Sequence, residues 1–260
     1  MSRIRIVAIR LLCPAPSATA AFYAEAFGAR IGQDARGVVV SIGAQRVELR
    51  RTAAQAGGPA PSNSTAFQHC ALVVPDMEAA MRRLGEARGW TAISQAGPEQ
   101  LPASSGGVRA FKFRDPDGHP LEFLWFPADR RPPGWWEGGA GPVLGIDHTA
   151  IAVSETERSV AFYAGLGFRV ASRGVNRGIE QGRMDGLDDP LVEVTALAPP
   201  GGGPPHLELL CYRQPPVDTV ALDADDVLAT RIVLMGQPDG ANPDIVDPDG
   251  HRLIFAAADQ

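Results

Sequence analysis

The sequence predicts an α+β fold built from four tandem βαβββ modules, and three observations predict it. Ala21-Phe22-Tyr23-Ala24 returns as Ala161-Phe162-Tyr163-Ala164, and Asp115-Pro116-Asp117-Gly118-His119 returns as Asp247-Pro248-Asp249-Gly250-His251, which marks a tandem duplication. Each half opens with an alternating strand pattern and then an amphipathic helix that carries the Phe-Tyr pair and stops at a glycine. Short apolar, β-branched runs separated by turn residues follow each helix. A unit of this size is too small to close a core alone, so the units must pair.

In the first module, 4–12 reads as a strand and 17–27 as a helix, with Ser17 as N-cap and Gly28 just beyond the end. Strands follow at 37–40 and 46–49. The second module starts with a strand over 67–74, continues through a helix over 77–88 and closes with 121–124. The third has a strand over 145–153, a helix over 155–166 capped by Ser154 and stopped at Gly167, and strands at 192–194 and 206–210. The fourth is shorter and is expected to open at 219–222 and close at 253–255. Stretches rich in Gly, Pro and small polar residues at 53–64, 127–142 and 214–217 read as connectors. The expected division is an N-terminal domain over 1–128 (modules 4–52 and 65–127), a linker over 129–142 and a C-terminal domain over 143–260 (modules 143–213 and 217–257).

A chain of 260 residues with 45% hydrophobic and 21% charged residues has the composition of an ordinary globular protein. Its net charge of −6, with no block of Lys or Arg, offers no footprint for nucleic acid or anionic lipid. Cys13, Cys70 and Cys211 are odd in number and form no CxxC pair, which suits a reducing compartment and a cytoplasmic location. Residues 1–20 loosely mimic a secretory signal, but Arg10 interrupts the apolar run and the segment aligns with the start of the second half. No run approaches the ~20 apolar residues of a membrane helix. The expected partner is a small molecule, on a monomer or homodimer.

Aligned by their openings, the modules place Ala8, His69, His148 and Thr219 at one strand position. Aligned by their closing strands, they place Glu48, Glu122, Glu208 and Ile254 at another. Modules 2 and 3 therefore each supply a His and a Glu. Strand alternation puts His206, Glu208 and Leu210 on one face and Leu207, Leu209 and Cys211 on the other, so one face can line a cavity while the other packs on the helix. A carboxylate in the middle of an apolar strand is costly to bury unless it is paired or bound to a cation. Imidazole with carboxylate suits a divalent first-row metal.

Here the chain resembles the vicinal oxygen chelate superfamily, which includes glyoxalase I, methylmalonyl-CoA epimerase, extradiol dioxygenases and the fosfomycin and bleomycin resistance proteins. The residues that carry the resemblance are 148–153 with Phe162-Tyr163, their counterpart 69–74, the stretch 115–123 and the strand 206–210. It implies a glyoxalase/dioxygenase-like fold in which paired modules form curved-sheet cups, here as a fused four-module form. It also implies one divalent metal ion, Ni, Co, Mn, Zn or Fe, held by His69, Glu122, His148 and Glu208 where module 2 faces module 3. Modules 1 and 4 would then form a decayed cup holding Ala8, Glu48, Thr219 and Ile254. The activity implied is lyase, isomerase or epimerase chemistry on a substrate that chelates through vicinal oxygens, with an enediolate-like intermediate and Glu122 or Glu208 as the catalytic proton carrier. Ring cleavage by an Fe(II) dioxygenase is the alternative, although module 4 offers Thr219 and Ile254 where that chemistry would need ligands. A non-catalytic binding cup of the resistance type is a third.

Other readings compete at individual positions. If modules 1 and 2 face each other, Glu48, His69 and Glu122 form a rival site. His119 and His251 sit in turns where Asp-Gly supplies the geometry. His206 either contacts the substrate or sits at the rim. Asn176 and Arg177, with Gly178, Glu180 and Gln181, lie in the stretch of module 3 where the family often contacts substrate. Trp135 and Trp136, behind Arg130 and Arg131, either cap the cup and bind substrate or staple the two halves together.

Overall fold

The computed structural model describes residues 3–54, 58–132, 135, 141–236 and 243–256. Module 1 consists of β1 (Arg5–Cys13), α1 (Pro16–Phe27), β2 (Arg30–Asp34), β3 (Gly37–Ile42) and β4 (Gln45–Arg51). Module 2 has β5 (Gln68–Val73), α2 (Met77–Glu86), β6 (Thr91–Ala92), β7 (Glu99–Gln100), β8 (Arg109–Arg114) and β9 (Pro120–Trp125). Module 3 has β10 (Gly145–Ala152), α3 (Thr156–Gly165), β11 (Arg169–Arg177), α4 (Ile179–Asp185), β12 (Leu191–Ala198) and β13 (His206–Gln214). Module 4 has β14 (Arg231–Met235), β15 (Asp244–Val246) and β16 (Arg252–Phe255).

Each sheet takes one module from each half of the chain. Modules 3 and 2 share a sheet ordered β11-β12-β13-β10-β5-β9-β8-β6, with β7 also on β8; modules 4 and 1 share one ordered β15-β16-β14-β1-β4-β3-β2. The joint in the first is β10 antiparallel to β5, with Ala150 opposite His69, and in the second β1 antiparallel to β14, with Arg10 opposite Arg231. Both joints carry the same register shift, between Ile146 and His148 and between Ile6 and Ala8. The two sheets are thus related as the duplication requires.

Strand alternation then sorts the side chains. Cys70, Leu72, Leu121, Phe123, Ile151, Leu207 and Leu209 pack into the main core, which both sheets and the helices share. His69, Glu122, His148 and Glu208 project to the opposite face. The helix of module 1 packs behind module 2, with the Phe27 ring 5.9 Å from Phe123 and edge-on to it.

The duplicated motifs meet each other across this core. Tyr23 OH donates to Asp115 Oδ2 at 3.3 Å, His119 Nδ1 lies 2.8 Å from the same carboxylate, and its Nε2 lies 3.1 Å from the carbonyl of Leu12. In the second half Tyr163 OH donates to Asp247 Oδ2 at 3.0 Å and His251 Nε2 lies 2.8 Å from the carbonyl of Ala152. The turn of module 2 is thereby latched to module 1, and the turn of module 4 to module 3. Both ring nitrogens of His119 and the Nε2 of His251 are engaged by these contacts, which tie the turns to the neighbouring modules.

Several expectations are corrected. The helix over 16–27 is capped at Ala15 with proline in its first turn, not at Ser17, whereas Gly28 takes the left-handed C-cap conformation as expected, with φ 68°. Glu155, not Ser154, caps the helix of module 3, its carboxylate accepting from the Arg158 amide; Ser154 Oγ instead donates to Asp249. Residues 219–222 form no strand: Val220 is exposed, and the Asp-rich stretch behind it makes turns. Module 4 opens at Arg231, and no helix follows among its described residues. The counterpart of His69 in the second cup is therefore Arg231 rather than Thr219.

Candidate metal centre

Four strands deliver the proposed ligands to one spot. His69 comes from β5, Glu122 from β9, His148 from β10 and Glu208 from β13, the middle four strands of the shared sheet. Ligand atoms of His69, Glu122 and His148 all lie within 4.8 Å of one another, and all three residues are buried. Glu208 stands at the edge of this group, its Oε2 3.6 Å from His148 Nε2. Its side chain is 21% exposed, against 8% for His148 and 7% for Glu122. Three proposed ligands are gathered tightly and the fourth is looser. The rival set is broken apart, because Glu48 lies in the other sheet, bound to Arg10 at 2.8 Å and Arg50 at 3.2 Å.

The donor set fits a divalent ion. His69 Nε2 lies 2.8 Å from Glu122 Oε2, yet neither ring nitrogen of His69 makes a hydrogen bond. A buried imidazole left in this state is costly unless something else takes its lone pair. His148 Nδ1 is 3.0 Å from Asp147 Oδ2, which fixes the ring and turns Nε2 toward Glu122 and Glu208. His206 Nε2 lies 3.4 Å from Glu208 Oε1, so it steadies the outer carboxylate.

Charge follows from this geometry. Burial, aided by the Lys112 ammonium, pushes His69 below the usual imidazole range. Burial would push His148 down too, but Glu208, Asp147 and Glu122 overcome it and hold it up at about 9. Burial would raise Glu208, yet His148, His206 and His69 pull it down to about 2. Burial would likewise raise Glu122, and His69, Lys112 and His148 outweigh it to hold that carboxyl low. The carboxylates around His148 thus favour a proton on its ring.

The centre opens into a cavity of about 370 Å³, at the lower end of the range for small-molecule sites. Leu101, Val108, Leu124, Phe126 and Leu210 give it apolar walls, and Asn176 lies in its lining, where it accepts from Ser105 Oγ at 2.7 Å. The expectation that Arg177 lines the site is corrected: its neighbour Asn176 faces in, and strand alternation sends Arg177 out to solvent. Trp135 lies instead over Gly145, where an added Cβ would meet its ring, so it packs on the start of β10 and is not among the residues lining the cavity. Trp136 lies outside the described residues. The sequence reading missed Lys112, Asp185, Asp147 and Tyr212. Lys112 was legible in principle, as a cation between Phe111 and Phe113 in a strand, a signal akin to the one that exposed Glu122.

A family model described as the Glyoxalase/Bleomycin resistance protein/Dioxygenase superfamily matches residues 5–123 and 145–255. The chain belongs to that superfamily. Among solved structures, this superfamily member is similar to glyoxalase I from Zea mays, with a TM-score of 0.63 and 15% identity over 97% of this chain and 92% of that one. A structure of a point mutant of the same maize enzyme gives a TM-score of 0.59 at 16% identity, covering 97% of this chain and 93% of that one. A putative dioxygenase from Bacillus subtilis subsp. subtilis str. 168 gives 0.52 at 15% identity, over 92% of this chain and 72% of that one. At such identities the likeness shows the fold. No curated protein sequence matches the chain significantly. No helix among the described residues is long and apolar enough to cross a membrane.

Proposed function

We propose that this superfamily member is a divalent-metal-dependent enzyme of glyoxalase I or epimerase type, taking a small substrate with vicinal oxygens and moving a proton at the carbon beside its carbonyl. The observation that carries this reading is the convergence of His69, Glu122 and His148, with Glu208 at its edge. His69, Glu122, His148 and Glu208 would hold the ion, with Asp147 orienting His148. When bound, a divalent ion supplies Lewis-acid polarisation of the substrate's oxygens.

Glu208 is the proton carrier in this reading. It is the most exposed of the four and faces the cavity, while Glu122 is buried against His69. The charge that depresses Glu208 against its burial comes chiefly from His148. Held ionised in this way, the carboxylate is ready to accept a proton. The apolar walls exclude water from the reacting carbon. An enediolate-like anion is the expected intermediate. Unpaired, buried Cys13, Cys70 and Cys211 support a reducing, cytoplasmic setting. A monomer or homodimer acting on a small molecule completes the proposal.

The test is exchange of substrate protons with heavy water, followed by NMR over a panel of small hydroxylated and dicarbonyl compounds. Metal-loaded wild type should exchange the proton beside a carbonyl, and Glu208→Gln should lose the exchange while keeping its metal. Undiminished exchange in the variant removes Glu208 from the role. A second reading, Fe(II)-dependent ring cleavage, draws on the composition of the tight group, two histidines and one carboxylate. Oxygen consumption by the iron-loaded protein with catechols, and no proton exchange, would favour it.

A further inference from the structure

Next to the centre, the cavity holds a polar network that the proton-transfer reading does not use. Lys112 stands opposite Glu122 in the sheet register, is 2% exposed, and donates from Nζ to Asp185 Oδ1 at 2.7 Å. Asp185 Oδ2 accepts from Gln181 Nε2 at 2.7 Å and from Tyr212 OH at 2.9 Å. Module 2 supplies the lysine and module 3 the other three groups, so the network spans the two modules. Lys112, Gln181 and Tyr212 all line the same cavity as the proposed metal ligands.

A network built only for stability would satisfy all its members. This one does not. Gln181 is 4% exposed, and its Oε1 is buried with no hydrogen-bond partner. Among the described residues the Lys112 ammonium has a single hydrogen-bond acceptor, Asp185, although it carries three donors. Asp185 holds both groups in place, one on each oxygen. The residues lining the cavity thus include spare N–H donors on Lys112 and an unused acceptor on Gln181, and a ligand with the opposite pattern completes them.

We propose that Lys112 and Gln181 form a second recognition point, where Nζ donates to a carboxylate or enolate oxygen of the substrate and Oε1 accepts from a neighbouring hydroxyl. The substrate class is then a small hydroxylated carbonyl compound whose vicinal oxygens face the metal centre and Lys112 together and whose further hydroxyl faces Gln181. The Lys112 ammonium is anchored in the cavity lining by the Asp185 carboxylate. Its part is to receive negative charge that develops on the substrate, which binds the charged form more tightly than the neutral one. This inference rests on the metal-centre reading above.

The test uses the metal-loaded full chain and two probes with vicinal oxygens, acetohydroxamate and glycolohydroxamate, which differ by a hydroxyl. Affinity is measured by calorimetry beside metal content for wild type, Gln181→Leu and the paired Lys112→Met, Asp185→Asn variant, which removes both charges so that neither is left buried alone. Wild type should prefer glycolohydroxamate, and Gln181→Leu should lose that preference. The paired variant should bind both probes about 10- to 100-fold more weakly, the size of a lost hydrogen bond to a charged group. Metal content should be the same in all three. Unchanged affinities for both probes in metal-loaded variants overturn the recognition point and leave the metal centre standing. A wild type that takes up no metal defeats the metal centre and this inference with it.

Discussion

Metal binding should depend on pH with a slope set by a single proton. Of the four proposed ligands, Glu122 and Glu208 are held below the ordinary carboxylate range and His69 below the ordinary imidazole range, so none of these carries a proton at neutral pH. His148 does, because the surrounding carboxylates overcome its burial and hold it up at about 9. An ion must displace that proton. At pH 7, about two units below this value, the cost is about 100-fold in affinity, or ~2.7 kcal/mol. Competition with a chromophoric chelator of known protonation, run from about pH 6.5 to about pH 9, should show log affinity rising by about one per pH unit and then levelling. Asp147→Asn removes one of the groups that raise His148, so its plateau should begin at lower pH. A flat profile in wild type would remove His148 from the ligand set. A slope near two would show that His69 is also protonated, contrary to the lowering that burial imposes on it.

Further outcomes follow from other parts of the molecule. Glu48→Gln should leave metal content unchanged at about one ion per chain, since the second cup has Ala8 and Arg231 where the first has His148 and His69; loss of metal on elemental analysis would revive a site there. Burial would lower His119, but the Asp115 carboxylate and the Leu12 carbonyl on either side of its ring outweigh it and raise its folded value above 6.5. Its stabilisation is therefore present below the unfolded value and lost as pH rises through the folded one. Metal-loaded wild type should lose Tm more steeply than His119→Gln over that rise, and parallel curves would contradict the latch. Gly43→Ala should destabilise by more than ~2 kcal/mol in urea unfolding. Its φ is +57° and a Cβ there would lie 2.0 Å from the Leu144 carbonyl oxygen, where the β3–β4 turn abuts the start of β10; a change near zero would mean that this contact yields.

Those parts of the fold that depend on periodicity could be read from the sequence. The alternation through His69, His148 and Glu208 assigned each side chain to a sheet face before any contact was known, and the duplication supplied the equivalence among modules. Position within module 4 was not legible, because Thr219–Leu222 has the apolar composition of a strand while its neighbours hold it in an exposed connector. α4 was missed because it is a short insertion between strands, and it brings Gln181 to the cavity wall with Asp185 behind it. The role of Asp-Pro-Asp-Gly-His was half legible: Asp-Gly announces a turn, but the partnership of Asp115 with Tyr23 is a long-range contact that no local pattern encodes. Composition left Trp135 either a substrate cap or a staple between the two halves, and its packing on Gly145 is likewise tertiary.

The most direct measurement is metal content by elemental analysis of untagged wild type beside the paired His69→Ala, His148→Ala variant, with circular dichroism confirming that both are folded. About one divalent ion per chain in wild type and none in the folded variant is the predicted result for a site of this composition. A wild type without metal even after reconstitution, or a variant that keeps the ion, would contradict the centre formed by modules 2 and 3.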